Sequence, residues 1–512
     1  MQSKQQQLFY ILNSLSANEK AYIKKYGYKN NKKESPIFYL LGLIDKAIKT
    51  QTIQELDEEK LKNKLTKRHP NQDYIKLKSR LFQLVLESLQ AYDHNNDLQK
   101  LYDLMAQVES LRRRNFHQAA YDTLKKAQKQ ASALEEMGLL AEIQLQMQVT
   151  NSFITKHKKE DILVLDTGAL DKTVEHLKEK INTTMAALSV VAYQKTIGNP
   201  RSKEDLSILK RLEELPTFQS VEQLQLYSTK IDRAIALAAI YIAKGAVGKA
   251  VELCSFTINE LNIPNKTQRA LAKKLITLFD ILMQACLMTI QLDLYEEYYA
   301  KFLLLNTYGQ HEKLLKSGVD LTASCMYSIL SNQIEKYTLL DQQFEKIKTE
   351  KYIPNYRKVS ICYYLIFGNF MLEDYKRAYA RLLWLYQQKE LAIRYDVDIA
   401  LKTMELIMLY EAEEYYYLGL KLRTLSNLLK KNNRKFKLEQ SLIQLISKTL
   451  KIRSKLDFKT LLEQSYAEMG LIIQQHPEEK QFLNAFDILS WIESQLTAPS
   501  FRTVYYENNI KQ

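Results

Sequence analysis

Between residues 357 and 389 the chain reads RKVSICYYLIFGNFMLEDYKRAYARLLWLYQQK. An apolar helical pattern meets a break of two acidic residues, Glu373 and Asp374, and then a second, amphipathic helical pattern. A break that short sends the second helix back along the first, so the stretch predicts a helical hairpin. Tyr364, Phe367, Gly368 and Met371 mark the first helix; Tyr375, Ala378 and Leu382 form the face of the second, where the small Ala378 allows close backbone approach.

Helix is also what the remainder of the chain can form. Only 12 Gly and 8 Pro interrupt 512 residues, and no run of alternating β-branched residues between turn signals predicts a sheet. With 46% hydrophobic residues the chain can bury a sizeable core. The most apolar runs, 235–243 and 363–372, fall short of the roughly 20 residues of a membrane span. The N-terminal MQSKQQQLFYILNSL lacks a signal-peptide pattern. Cys254, Cys286, Cys325 and Cys362 lie far apart within apolar helical patterns and read as small core residues in a reducing compartment. These features predict a soluble, cytoplasmic, all-α protein.

Residues 1–95 differ in texture from the later sequence and predict a small helical module. A first helix ends before Ser16, which forms an S-x-x-E capping box with Glu19 for a second helix. Ser35-Pro36 starts a third, a charged helix covers 56–66, His69-Pro70-Asn71 makes a turn, and 74–92 is strongly apolar and helical. Two seams interrupt the chain beyond this module, at 157–172 and at Gly198-Asn199-Pro200-Arg201-Ser202. They suggest a first repeat segment over 96–198 and a second over 199–512. A helix over 479–496, containing Trp491, is expected to cap the array, and Pro499 to release a short Tyr-rich tail.

From about residue 97 the hairpin theme recurs. After each tight turn an apolar or aromatic residue is followed three places on by a small or apolar one, as in Phe116 and Ala119, Val247 and Ala250, Tyr295 and Tyr298, Tyr375 and Ala378, and Tyr416 and Gly419. The clearest instance is Tyr241, Gly245, Ala250 and Cys254, spaced Y-x3-G-x4-A-x3-C. This spacing resembles the tetratricopeptide repeat, with Ala234 in place of the pattern's Trp. The resemblance is carried by 234–262 and 362–387. The intervals of 48 residues from Val247 to Tyr295 and 41 from Tyr375 to Tyr416 exceed the family's about 34. A degenerate α-solenoid of antiparallel helical hairpins is therefore expected, carrying the N-terminal module. The LSANEKAY element at 15–22, with the Lys-rich and Tyr-rich composition, resembles helical-repeat proteins of Bacteroidota and implies no particular activity.

Catalytic signals are sparse. The seven histidines are dispersed without a metal-ligand spacing, and no G-x-S-x-G, P-loop or G-x-G-x-x-G occurs. Gly245-Ala246-Val247-Gly248-Lys249 lacks the phosphate-loop spacing and belongs to a hairpin turn. Glu411, Glu413 and Glu414 read as turn acids, and tyrosines at helical spacing, such as Tyr295, Tyr298 and Tyr299, as packing residues. No enzyme activity, cofactor or metal is expected. Fold-level analogy points to a scaffold that binds a peptide or protein partner on a solenoid surface.

Charge supplies the alternative. Residues 421–459 hold twelve basic side chains against two acids, Glu439 and Asp457, within a chain of net charge +14. Lys430, Lys431, Arg434, Lys435 and Lys437 form a basic loop, and Lys448, Lys451 and Lys455, at i, i+3, i+7, predict a stripe opposite Leu442, Leu445 and Ile446. The segment is either the solvated outer face of two helices or an electropositive patch for nucleic acid, an acidic protein segment or anionic lipid. Arg112-Arg113-Arg114 is a weaker basic site.

Overall fold

The computed structural model describes residues 7–28, 35–50, 57–92, 97–154, 167–219, 224–350, 353–388, 393–431, 437–451, 454–483, 486–497 and 499–510. Among these every regular element is an α-helix or a short 3₁₀ turn, as the scarcity of Gly and Pro predicts. None of the described helices is long and apolar enough to cross a membrane. The chain divides into two units, residues 1–170 and 171–512.

In the first unit, α1 (Gln7–Ser14), α2 (Ala17–Gly27), α3 (Pro36–Thr50), α4 (Glu58–Arg68) and α5 (Tyr74–Tyr92) surround one core. Leu12, Ile23, Leu40, Ile44, Leu65 and Val85 sit at its centre. The capping box forms as the sequence predicts: Glu19 N donates to Ser16 Oγ (3.3 Å) and Ser16 N donates to Glu19 Oε2 (2.6 Å). Three further helices follow, α6 (Asp97–Arg112), α7 (His117–Ala133) and α8 (Met137–Ser152), each packed on the next.

The second unit begins within α9 (Gly168–Thr196) and continues through α10 (Lys203–Glu213) and the single turn α11 (Pro216–Gln219). Five helix pairs then succeed one another. They are α12 (Tyr227–Ala243) with α13 (Val247–Glu260), α14 (Asn265–Met288) with α15 (Leu292–Leu303), and α16 (Gln310–Leu330) with α17 (Tyr337–Ile347). The last two are α18 (Asn355–Met371) with α19 (Tyr375–Gln387) and α20 (Tyr395–Glu411) with α21 (Tyr415–Lys431).

One turn geometry joins each pair. A residue with positive φ, at 245, 290, 332, 373 or 413, closes the first helix, at steps of 45, 42, 41 and 40 residues. Its N–H donates to the carbonyl three residues back, and the next N–H donates to the carbonyl five back: Gly245 to Ile242 (3.0 Å) and Ala246 to Tyr241 (2.8 Å), Glu373 to Phe370 (2.9 Å) and Asp374 to Asn369 (3.0 Å). This is the Schellman arrangement, which satisfies the carbonyls left over at a helix end. Asn115 and Glu135 make the same turn between α6 and α7 and between α7 and α8.

The first helices of successive pairs, α12, α14, α16 and α18, pack on one another and are buried on several faces. The second helices bury one stripe, such as Ala378, Leu382 and Leu385 of α19. Tyr295 and Tyr298 lie on the buried stripe of α15, the packing role expected of them. All four cysteines are buried and unbridged, and burial pushes the Cys254 and Cys286 thiols up to about 12 and 11.

Beyond the five pairs lie α22 (Lys437–Thr449), α23 (Lys455–Gln475), a 3₁₀ turn (Pro477–Phe482), α24 (Ile488–Leu496) and α25 (Phe501–Asn509). The expected single helix over 479–496 is thus a 3₁₀ turn and a separate α24. The expected tail after Pro499 is α25, N-capped by Ser500. Phe501 and Phe486 pack against Phe367 and Phe370 of α18, and Tyr506 Oη donates to the Ile329 carbonyl of α16. Tyr and Phe at helical spacing make this tail amphipathic, and burial of that face holds it in place.

Candidate functional site

The second unit closes a polar clamp around its own N-terminal loop. Gly198 takes φ +74, and a Cβ there would stand 2.6 Å from Asp396 Oδ2, so both the conformation and the approach require glycine. Asn199 N donates to the same Oδ2 (3.2 Å). Arg394 adds Nε to Oδ1 (3.0 Å) and Nη2 to Oδ2 (2.8 Å), while Val397 N donates to Oδ1 (3.0 Å). Asp396 therefore pins the 198–199 loop to the start of α20.

Two residues on, Arg201 reaches further along the chain. Its Nη1 and Nη2 donate to Glu439 Oε1 (2.6 Å) and Oε2 (2.9 Å) at the start of α22, and Nη2 also pairs with Glu479 in the 3₁₀ turn. The Arg201, Glu439 and Glu479 side chains are only 9%, 0% and 7% exposed. Lys437 N donates to Glu479 Oε1 (3.1 Å), and the guanidinium stacks over Phe482 at 5.4 Å. Burial lowers the Arg201 pKa, but the two carboxylates outweigh it and raise the group above its ordinary value. Burial holds the Glu439 carboxyl above its usual range despite Arg201. The break at 198–202, which falls between α9 and α10 as expected, also carries a clamp, joined across 197 to 278 positions of sequence.

This clamp walls a cavity of about 230 Å3. Asn199, Arg201 and Phe482 contribute to the lining, the ends of α12 and α14 contribute Ile242 and Met288, the first half and middle of α18 contribute Ser360, Tyr363 and Tyr364, and the start of α20 contributes Arg394 and Asp396. Burial pushes the Tyr364 phenol up to about 12 and raises that of Tyr363, so both stay protonated near neutrality. The cavity offers hydroxyl donors, a guanidinium edge and apolar walls, the mixture that holds a partly apolar polar group in place. Among the described residues no group of three or more His, Cys, Asp or Glu is placed to hold a metal ion.

The basic segment divides differently from its sequence pattern. Lys448 lies in the last turn of α22, which ends at Thr449; Lys451 follows the helix end, and Lys455 opens α23 behind the Ser454 cap. The three lysines therefore do not form one helix stripe. The S-x-x-D cap at Ser454–Asp457 is the signal of that break. Leu442, Leu445 and Ile446 are buried as expected. Lys430 and Lys437 are exposed at the facing ends of α21 and α22. Lys431 closes α21, and Arg434 and Lys435 lie outside the described residues. Lys421 pairs with the buried Glu405 of α20 (2.7 Å).

No protein-family model matches the chain, and comparison with curated proteins and with solved structures returns no significant match.

Proposed function

We propose that the protein is a non-enzymatic, cytoplasmic scaffold of tetratricopeptide-like kind, an α-solenoid of antiparallel hairpins that binds a partner peptide in the cavity of its second unit. The observation that carries this reading is the fivefold recurrence of one turn geometry, with the first helices α12, α14, α16 and α18 stacked in succession. Its period of 40 to 45 residues exceeds the about 34 of the regular tetratricopeptide repeat and reflects longer helices. The partner is placed against the part of α18 where Ser360, Tyr363 and Tyr364 line the cavity.

Chemical cross-linking of tagged protein in its native cells, read by mass spectrometry, tests the proposal. One partner segment should cross-link beside residues 360–364 and 394–400, and Ser360→Trp, which puts an indole at the cavity lining, should abolish it. Reproducible turnover of a small molecule that the same substitution eliminates would replace the scaffold reading with an enzyme.

A further inference from the structure

The outward face of α21 carries a second, separate surface. Leu418, Leu422, Leu425 and Leu429 are buried, which turns Tyr416, Leu420, Arg423, Asn427 and Lys430 to solvent at steps of three or four residues. Tyr416 is 76% exposed, and Tyr415 and Tyr417 beside it are about half exposed. The Tyr416 and Tyr417 rings meet edge to face with centroids 5.4 Å apart. Three neighbouring tyrosines standing in water are left without the packing that buries Tyr295 and Tyr298.

Exposed charge along residues 421–459 is more one-signed than the sequence suggests. Of the two acids in 421–459, Glu439 is fully buried against Arg201, leaving Asp457 as the one that faces solvent. Arg423, Lys430, Lys437, Lys448 and Lys451 are all exposed. From Tyr416 to Lys430 the stripe runs about 20 Å along the helix, with aromatic rings at one end and cations toward the other. Glu413 and Glu414 close the aromatic end, so an anionic strand is directed from Tyr416 toward Lys430.

We propose that this face binds single-stranded nucleic acid, its bases stacking on Tyr416 and Tyr417 and its phosphates running past Arg423 and Lys430. Rings accept any base and cations any phosphate, so sequence preference is slight. The test is fluorescence anisotropy with a labelled 20-nucleotide oligothymidylate, a duplex of the same length and polyglutamate as competitor, at low and moderate salt. The expected result is single-strand binding that outcompetes the duplex and weakens with salt by about 0.7 logarithmic units per phosphate contact. Tyr416→Ala with Tyr417→Ala, which removes two stacking rings, should weaken it about 30-fold or more at unchanged salt slope. Arg423→Gln with Lys430→Gln should reduce the slope by about 1.4. Every replaced side chain is exposed, and an unchanged circular-dichroism spectrum and unfolding midpoint verify the fold. Undetectable binding at low salt would overturn the proposal. So would tyrosine variants that bind like the wild type, equal affinity for duplex, full displacement by polyglutamate, or binding to phosphatidylserine vesicles in place of the oligonucleotide.

Discussion

Arg201 faces two carboxylates where one would balance it, and all three side chains are removed from water. Replacing it with Met would leave Glu439 and Glu479 buried without their cation. Breaking a buried pair in this way costs about 3–5 kcal/mol, a loss that urea denaturation would read as a lowered midpoint. Glu439 carries a pH signature. Its carboxyl titrates above the ordinary 4.5 in the folded chain, so the folded form holds this proton more tightly than the unfolded one. Stability from this group is therefore fully present below about pH 4.5 and is lost as pH rises through the folded value. Glu439→Gln has no such loss, so its stability relative to wild type should improve as pH rises from about 4.5 toward neutrality. Denaturation curves for both proteins across that range check the sign. Gly368, a mark of the first helix in the sequence, has a definite reason: a Cβ there would fall inside the ring of Tyr337. Nothing near Gly368 in sequence foretells that, because the ring comes from the preceding helix pair.

At the level of elements, the turns explain what could and could not be read in advance. Helices were legible because their caps and breaks are local: Ser16 with Glu19 and the apolar period of α5 act within a few residues. The turns were read from a glycine at Gly245, from a short acidic break at Glu373, and at 115, 290 and 413 only through the aromatic residue that follows each, while the turn at Asn332 gave no mark. At the other turns the positive-φ position holds Ile290, Asn332 and Glu413, where a glycine signal fails. A side chain in that conformation costs about 1–2 kcal/mol, which surrounding packing outweighs. Gly245→Ala should accordingly lower stability by roughly 1 kcal/mol, while exposed Glu413→Gly should raise it by up to about 1 kcal/mol, both read from denaturation midpoints. The C-terminal helix teaches the converse lesson. Its residues look like a tail until Phe367 and Phe370, more than a hundred positions earlier, supply the surface they cover. Truncating that contact with Phe501→Ala should cost about 3 kcal/mol and increase binding of a hydrophobic dye.

On the scale of the whole molecule, the candidate site was the least legible part. The cavity joins residues from 199 to 482, and its polar members are set by pairings that no spacing encodes: Asn199 with Asp396, Arg201 with Glu439 and Glu479. The basic segment, by contrast, is plain in composition, and only its division among α21, α22 and α23 needed the fold. The central claim is that the second unit closes on itself through the 198–201 clamp, converting a row of helix pairs into a body with a walled cavity. Hydrogen–deuterium exchange on Arg201→Met, compared with wild type, tests this most directly. Closure predicts that amides at 437–446 and 477–483 lose protection together with those at 198–206, while α14 and α15 keep theirs. Lost protection confined to 198–206, with 437–446 and 477–483 unchanged, would contradict it.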